Sequence, residues 1–393
     1  MTNTKSMSDI SHILNHLGEE REKYFGSVSP PIFQSSNFCF PTVAEMRDAL
    51  KNEDSVPFYT RGVNPTVSIL REKVAALESA EDALIFGSGS AAMAAGVMSS
   101  VKGGEHVICV RKPYSWTYKL LNKMLVKYGV ESTMVDGTDI ENFRSAIKPN
   151  TKLIILESPN SVTFEMQDIR AVAALAKQHN ITTLIDNSYA TPIFQRPIEM
   201  GIDMTVHSAS KYFGGHSDIV AGVLTGSKKK IAEIFQDEFM TLGGIISPND
   251  AWLMLLGLRT LKIRVERTNA TAAKVVEFME NHPKVNKVFF PFSKSNPQYE
   301  LAKSQMSGTG GMFSAQLKAK DIASVEAFCN SLKRFLLACS WGGHESLIFP
   351  TCTLYDSQNY GTTELPWNHI RFYVGLEEPE EIIEDLRQAL EKL

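Results

Sequence analysis

From about residue 80 to residue 210 the chain alternates short apolar runs with helical stretches, and this alternation restricts its possible folds more than any other feature. Ala83–Phe86, His106–Val110, Leu153–Leu156, Thr182–Ile185 and Met204–His207 read as short strands buried on both faces. Helical spacing fills several of the intervals, as over Asp168–His179. Parallel strands need long crossover connections, and helices supply them. The expectation is an α/β fold: a mostly parallel sheet with flanking helices.

The flanks of this region read differently. Val28-Ser29-Pro30-Pro31-Ile32-Phe33 cannot be helical through its proline pair, so residues 1–55 are expected to form an N-terminal arm, of the kind that commonly reaches a partner subunit. Leu70, Val74 and Leu77 place a helix over Thr66–Ala80, inside a large domain expected to span residues 56–255. A Leu- and Arg-rich helical run, Asp250–Asn281, leaves the sheet and is interrupted by Gly257. Beyond it, strands over Val285–Phe290, Gly311–Leu317 and His369–Val374 predict a smaller α/β C-terminal domain, residues 256–393. Helices are expected there over Ile322–Leu332 and Pro379–Leu390.

Composition excludes several classes of protein. At 43% hydrophobic and 21% charged residues the chain can bury a large core. A net charge of -4, with Lys228-Lys229-Lys230 as the longest basic run, indicates neither nucleic acid nor an anionic membrane as a partner. The polar start, Met1–Ile10, and the lack of an apolar run of membrane length predict a cytoplasmic protein. Its five cysteines are scattered and read as reduced thiols. His12 and His16 have the spacing of a helical ligand pair but lack the accompanying glutamate, so no catalytic metal is expected.

Ligands of open α/β sheets bind outside the carboxyl ends of the strands, and here those ends carry polar groups. The first runs into Gly87-Ser88-Gly89-Ser90-Ala91-Ala92, a turn opening a helix, whose N–H groups suit a phosphate. The second leads to Lys112-Pro113-Tyr114, and the third to Glu157-Ser158-Pro159-Asn160-Ser161. The fourth ends in Asp186-Asn187, and the fifth leads through Ser208 and Ser210 to Lys211. A lysine, an aspartate, a phosphate turn and an aromatic ring at one sheet edge are what pyridoxal 5'-phosphate requires. An ionised Asp186 would keep a pyridinium nitrogen protonated, and Lys211 would be both cofactor anchor and base.

With these motifs stand Val28-Ser29-Pro30-Pro31, Tyr59-Thr60-Arg61-Gly62-Val63-Asn64-Pro65-Thr66 and Ser340-Trp341-Gly342-Gly343-His344-Glu345-Ser346-Leu347. Over nearly its whole length the chain resembles the cysteine and methionine metabolism family of pyridoxal phosphate enzymes, which includes the cystathionine β- and γ-lyases, cystathionine γ-synthase and methionine γ-lyase. The resemblance implies fold type I. It implies that Lys211 bonds the cofactor, that Asp186 pairs with its ring nitrogen, and that Tyr114 stacks on the ring and can pass a proton. Gly89, Ser90, Ser208 and Ser210 would hold the phosphate, joined by Tyr59 and Arg61 of a neighbouring subunit in a homotetramer built as a dimer of dimers. Arg371, with Ser340, would clamp the α-carboxylate of a sulfur amino acid.

The departures bear on the reaction. Trp341 and Ser161, expected at the substrate, resemble the β-lyases, and Trp116 stands near where methionine γ-lyases carry a reactive cysteine. Gly62 resembles the γ-acting members. Cys339 matches neither the tyrosine of the β-lyases nor the glutamate of several γ-acting members. β-Elimination on cystathionine is the favoured expectation. The alternatives are γ-lyase or γ-synthase chemistry, including use of O-acylhomoserine or methionine, and a cofactor-binding regulator with little turnover. His216, near Lys211, is expected to pack rather than to touch substrate.

Overall fold

The computed structural model describes residues 9–355 and 365–393; the polar start read over Met1–Ile10 lies outside them apart from Asp9 and Ile10. The large sheet contains β1 (Asp82–Phe86), β2 (His106–Val110), β3 (Glu131–Val135), β4 (Thr151–Glu157), β5 (Thr182–Asp186), β6 (Met204–Ser208) and β7 (Gly222–Gly226). Their order is β1-β7-β6-β5-β4-β2-β3. From β3 to β6 the pairings are parallel, and β7 is antiparallel to both its neighbours. Two successive antiparallel pairings restore direction, so β1 runs with β6. The carboxyl ends of β1, β4, β5 and β6 therefore share one edge.

Both faces of this sheet are covered, and successive residues of a strand serve opposite layers. Leu84 and Leu224 pack with the helices Gly89–Met98 and Ile169–Gln178, whereas Ala83, Ile85 and Val223 pack with Pro65–Leu77 and the first half of a long helix. The helix starts are specified locally. Asp168 accepts from the Ala171 N–H at 3.0 Å, and Asn64 accepts from Thr66 N–H with Pro65 in the first turn. Ahead of them, buried Lys73 donates to the carbonyls of Ile13 and Leu14 and pairs with Glu19 at 3.2 Å, pinning the N-terminal segment to the large domain.

The second sheet contains β8 (Val285–Phe289), β9 (Met312–Leu317), β10 (Phe335–Leu337), β11 (Ser346–Pro350) and β12 (His369–Tyr373), in the order β10-β11-β12-β9-β8. Helices Ile322–Ser331 and Pro379–Leu390 cover it. The long helix, Pro248–Glu280, connects the two cores: Ala251–Val265 pack with the large sheet and Ala272–Met279 with the small one. A boundary at 255/256 cuts this helix, and we propose that the domains divide between Val265 and Ala272. Among the described residues no helix is long and apolar enough to cross a membrane.

Gly257 does not interrupt the helix; it lets the helix press on the turn after Lys211. A Cβ there would stand 2.3 Å from the carbonyl oxygens of both Phe213 and Gly214. Two turns further on, Arg264 donates through Nη2 to the carbonyls of Tyr212 and Gly257, each at 2.8 Å. Alanine at 257 would gain about 1 kcal/mol of helix propensity. Forcing a methyl group against backbone oxygens costs about 1–3 kcal/mol, so the clash should win. Gly257→Ala is expected to lower the urea midpoint of unfolding; an unchanged or higher midpoint would show that the turn yields freely.

Candidate active site

At the end of β1 the helix Gly89–Met98 begins, with Ser88 Oγ accepting from Ala91 N–H at 3.1 Å. The N–H groups of Gly89 and Ser90, in its first turn, have no intrahelical acceptor. Small residues are required here by close approach. A Cβ on Gly89 would lie 2.9 Å from Ser208 Cα, and one on Gly222 would lie 2.1 Å from Ser88 O. Helix terminus and β6 thus form a narrow cradle at the positive end of a helix dipole. Ser210 beside it accepts from Ala221 N–H at 3.0 Å.

The two strand-end carboxylates are neighbours, since Glu157 of β4 and Asp186 of β5 are register partners. Asp186 Oδ1 accepts from both the N–H and the hydroxyl of Ser188, whose Oγ in turn accepts from Ser208 N–H at 2.7 Å. The aspartate is thereby fixed to the strand bearing Ser208. Glu157 is fully engaged: Oε2 accepts from Tyr114 N–H at 2.7 Å and Oε1 from Ser161 N–H at 2.8 Å. Burial and the Asp186 carboxylate push the Glu157 carboxyl above its ordinary range. One side chain therefore places both the Tyr114 platform and the Ser161 loop.

Cations complete the cluster. Burial and, next, the Arg371 guanidinium lower the pKa of the Lys211 amine, while Cys339 and Asp186 oppose the shift. Arg371 on β12 is itself buried, donates to the Cys339 carbonyl at 2.6 Å, and lies within electrostatic reach of Glu157 and Tyr114. Burial presses its pKa down to about 10, which leaves it cationic at neutral pH. Trp341 is buried edge-on to Tyr212, its ring 5.8 Å from Lys211 Nζ. The Ser340-Trp341-Gly342-Gly343 strap lies directly on the lysine's backbone: at Gly342, where φ is +87°, a Cβ would stand 2.9 Å from the Lys211 carbonyl carbon. Ser340 is half-buried beside Cys339.

The structure thus brings together Lys211, Asp186, Tyr114, Arg371, Ser161, Trp341 and the Gly89–Ser208 cradle. Tyr59 and Arg61 stand apart on an exposed segment, guanidinium 5.5 Å from ring centroid, with Tyr59 bridged to Asn37 of the arm. His216, expected to pack, is instead exposed and bonded to Gly214 O at 2.8 Å. Two contributors to this cluster were missed as site residues: Glu157 was visible at a strand end, and Ser188 lies two residues beyond Asp186 in an Asx-type turn.

A doubly covered sheet of this order, followed by a small antiparallel-rich domain, is the fold type I architecture of pyridoxal phosphate enzymes. The chain belongs to the Cys/Met metabolism PLP-dependent enzyme family, whose pattern matches residues 11–391. It is 38% identical to L-methionine gamma-lyase of Treponema denticola, over 96% of each chain. It is 36% identical to cystathionine gamma-lyase of Bacillus subtilis, over 97% of this chain and 99% of that protein. With cystathionine beta-lyase of Lactococcus lactis subsp. cremoris the identity is 37%, over 98% and 100%. The crystal structure of metB from Corynebacterium glutamicum superposes with a TM-score of 0.92 at 35% identity, covering 99% of this chain and 98% of that one. The protein is a pyridoxal phosphate-dependent enzyme of carbon–sulfur bond chemistry. Its residues fit that cofactor: a dipole-backed cradle too narrow for a Cβ, a tethered carboxylate, and a buried amine.

His369 gives the site region a measurable pH response. Burial drives its pKa from 6.5 down to about 4, so it is neutral in the folded protein. As pH falls below about 6.5 the unfolded chain binds the proton first, and stability is lost until about pH 4. Between pH 7 and 5 this loss amounts to about 2 kcal/mol. Urea unfolding of His369→Leu should lack that part of the acid-side loss, and an unchanged pH slope would assign the loss to other groups.

Proposed function

We propose that the protein catalyses β-elimination on cystathionine, releasing homocysteine, pyruvate and ammonia. The cofactor, when bound, supplies an electron sink that acidifies the substrate's Cα–H. Gly89 and Ser90 N–H groups with Ser208 and Ser210 would hold its phosphate, Asp186 its ring nitrogen, and Tyr114 the face of its ring. Arg371 with Ser340 would fix the α-carboxylate, and Trp341 and Ser161 would line the substrate's path. Lys211 Nζ, whose proton is weakened by burial, would anchor the cofactor and then take the Cα proton. Lys211 or Tyr114 would return a proton to the departing thiolate, which leaves readily because a thiol's pKa is only about 8.5.

The observation that carries the β assignment is Trp341 beside Lys211 Nζ. β-Elimination asks the lysine for one proton, at Cα; γ-chemistry asks for a second, at Cβ, and the indole bulk restricts that further swing. Gly62, the residue resembling γ-acting members, has a packing explanation in this chain. A Cβ there would meet Met240 Sδ and Phe235 Cζ at 3.3 Å. The γ reading keeps one specific support, since relatives with γ-lyase names are as similar as the β-lyase. Incubation of the holoenzyme with cystathionine should yield pyruvate; 2-oxobutyrate would replace this assignment by γ-elimination. Lys211→Ala should abolish both turnover and the absorbance of covalently bound cofactor.

We further propose a cytoplasmic homotetramer of two dimers with shared active sites. Tyr59 and Arg61 are exposed and lie outside the charged cluster of their own chain, and Trp116, Tyr118, Met124, Val126 and Tyr128 expose large apolar surface close together in sequence. The arrangement predicts complementation. Mixed Lys211→Ala and Arg61→Ala proteins, each inactive alone, should regain part of the wild-type activity after subunit exchange. No recovery in demonstrated hybrids would mean that Arg61 serves its own chain.

A further inference from the structure

His369, Arg371 and Ser314 form one patch on the small-domain sheet. His369 and Arg371 are two apart on β12 and so share a face, and Ser314 of β9 is the register partner of Arg371. Arg371 reaches Cys339 O, while the other two converge on a single atom of the large domain, the Val162 carbonyl oxygen. Ser314 Oγ donates to it at 2.9 Å and His369 Nε2 lies 3.3 Å from it. On the near side of the same loop, Ser161 N–H donates to Glu157, which also receives Tyr114 N–H. A continuous hydrogen-bonded path therefore runs from the strand of Arg371, through residues 161–162 and Glu157, to Tyr114.

The imidazole is an expensive way to fill this space. His369 is 1% exposed, and its Nδ1 is buried with no hydrogen-bond partner among the described residues. An apolar side chain would fill the same volume without an unsatisfied nitrogen. What the imidazole adds is its donor to Val162 O. We propose that His369, aided by Ser314, is a positioning residue for the substrate's α-carboxylate, holding the Ser161-Val162 peptide on the small-domain sheet so that Ser161 and Arg371 keep a fixed separation. The inference rests on the carbon–sulfur lyase reading for Arg371 and Ser161, and it needs no contact between His369 and substrate or cofactor.

The test separates positioning from structure. In the holoenzyme, His369→Leu should raise the Kd for glycine, read from the shift in cofactor absorbance, and the KM for cystathionine about 10-fold. The absorbance without amino acid and the melting temperature at pH 7 should stay near wild type. His369→Gln, which keeps a side-chain N–H, should recover part of the loss, and Ser314→Ala should weaken glycine binding in the same direction. Glycine binding by His369→Leu at wild-type strength would overturn the proposal. So would loss of bound cofactor with a lowered melting temperature, or a glutamine variant as weak as leucine. If the wild-type protein releases no keto acid from cystathionine yet binds glycine, the functional reading fails while the glycine series still decides the role of His369.

Discussion

Two carboxylates at adjacent strand ends, Glu157 and Asp186, are the constraint around which the site is built. Like charges about 5 Å apart repel by about 3 kcal/mol at the effective dielectric of a protein site, and burial adds to that cost. The chain answers with donors and cations from distant segments. Ser188 fixes Asp186, the Tyr114 and Ser161 N–H groups fix Glu157, and Arg371 and Lys211 bring positive charge from the second domain and from beyond β6. The small domain is thus coupled to the large sheet by electrostatic need as well as by apolar packing. Burial and the Arg371 guanidinium make the Lys211 amine lose its proton more easily, against the pull of the Asp186 carboxylate.

Backbone proximity is the second organising element. Lys211 sits on a turn pressed from one side by the long helix at Gly257 and from the other by the strap at Gly342. Arg264, buried beneath, donates to the Tyr212 carbonyl of the same turn. A flexible four-carbon side chain can serve as anchor and base only if its root does not move. Here the freedom lies in the side chain and the rigidity in the three backbones around it.

Much of this was legible in the sequence because it follows from local rules. Central strands announced themselves as short apolar runs, and the polar residues just past them marked the ligand edge. β7 and β3 of the large sheet and β10 and β11 of the small one escaped: β7 is Gly-Val-Leu-Thr-Gly, with a glycine at each end and only two large apolar residues, and β3 is an edge strand with only its last residue buried. Gly257 read as a break in a helix because propensity counts the residue and not its neighbours; the helix is continuous, and the glycine answers to Phe213 and Gly214. Glu157 was in view but without its distant partner, since Tyr114 N–H reaches it only once β2 and β4 lie side by side. His369 was invisible for the same reason on a larger scale, as its partner lies 207 residues away in the other domain.

The choice between β- and γ-elimination shows where chemical specificity resides in such a site. In their proposed roles Lys211, Asp186 and the phosphate cradle would provide an acidic Cα–H, a step common to both outcomes. What differs is how far the lysine may travel afterwards and how firmly the substrate is held while it does so. In the roles proposed above, Trp341 would limit the first, and the spacing of Arg371 from the Ser161 loop would govern the second. Both belong to segments that pack against the cofactor-binding edge without forming its core: the strap before β11, and the face of β12. Because the strap and that strand are joined through the Arg371 bond to Cys339 O, a change in either shifts the substrate relative to a lysine whose backbone cannot follow. A displacement of 1 Å matters in this geometry, since proton transfer needs near-contact distances. On the proposed reading, reaction type would be open to change through the small domain while the groups proposed to hold the cofactor remain in place.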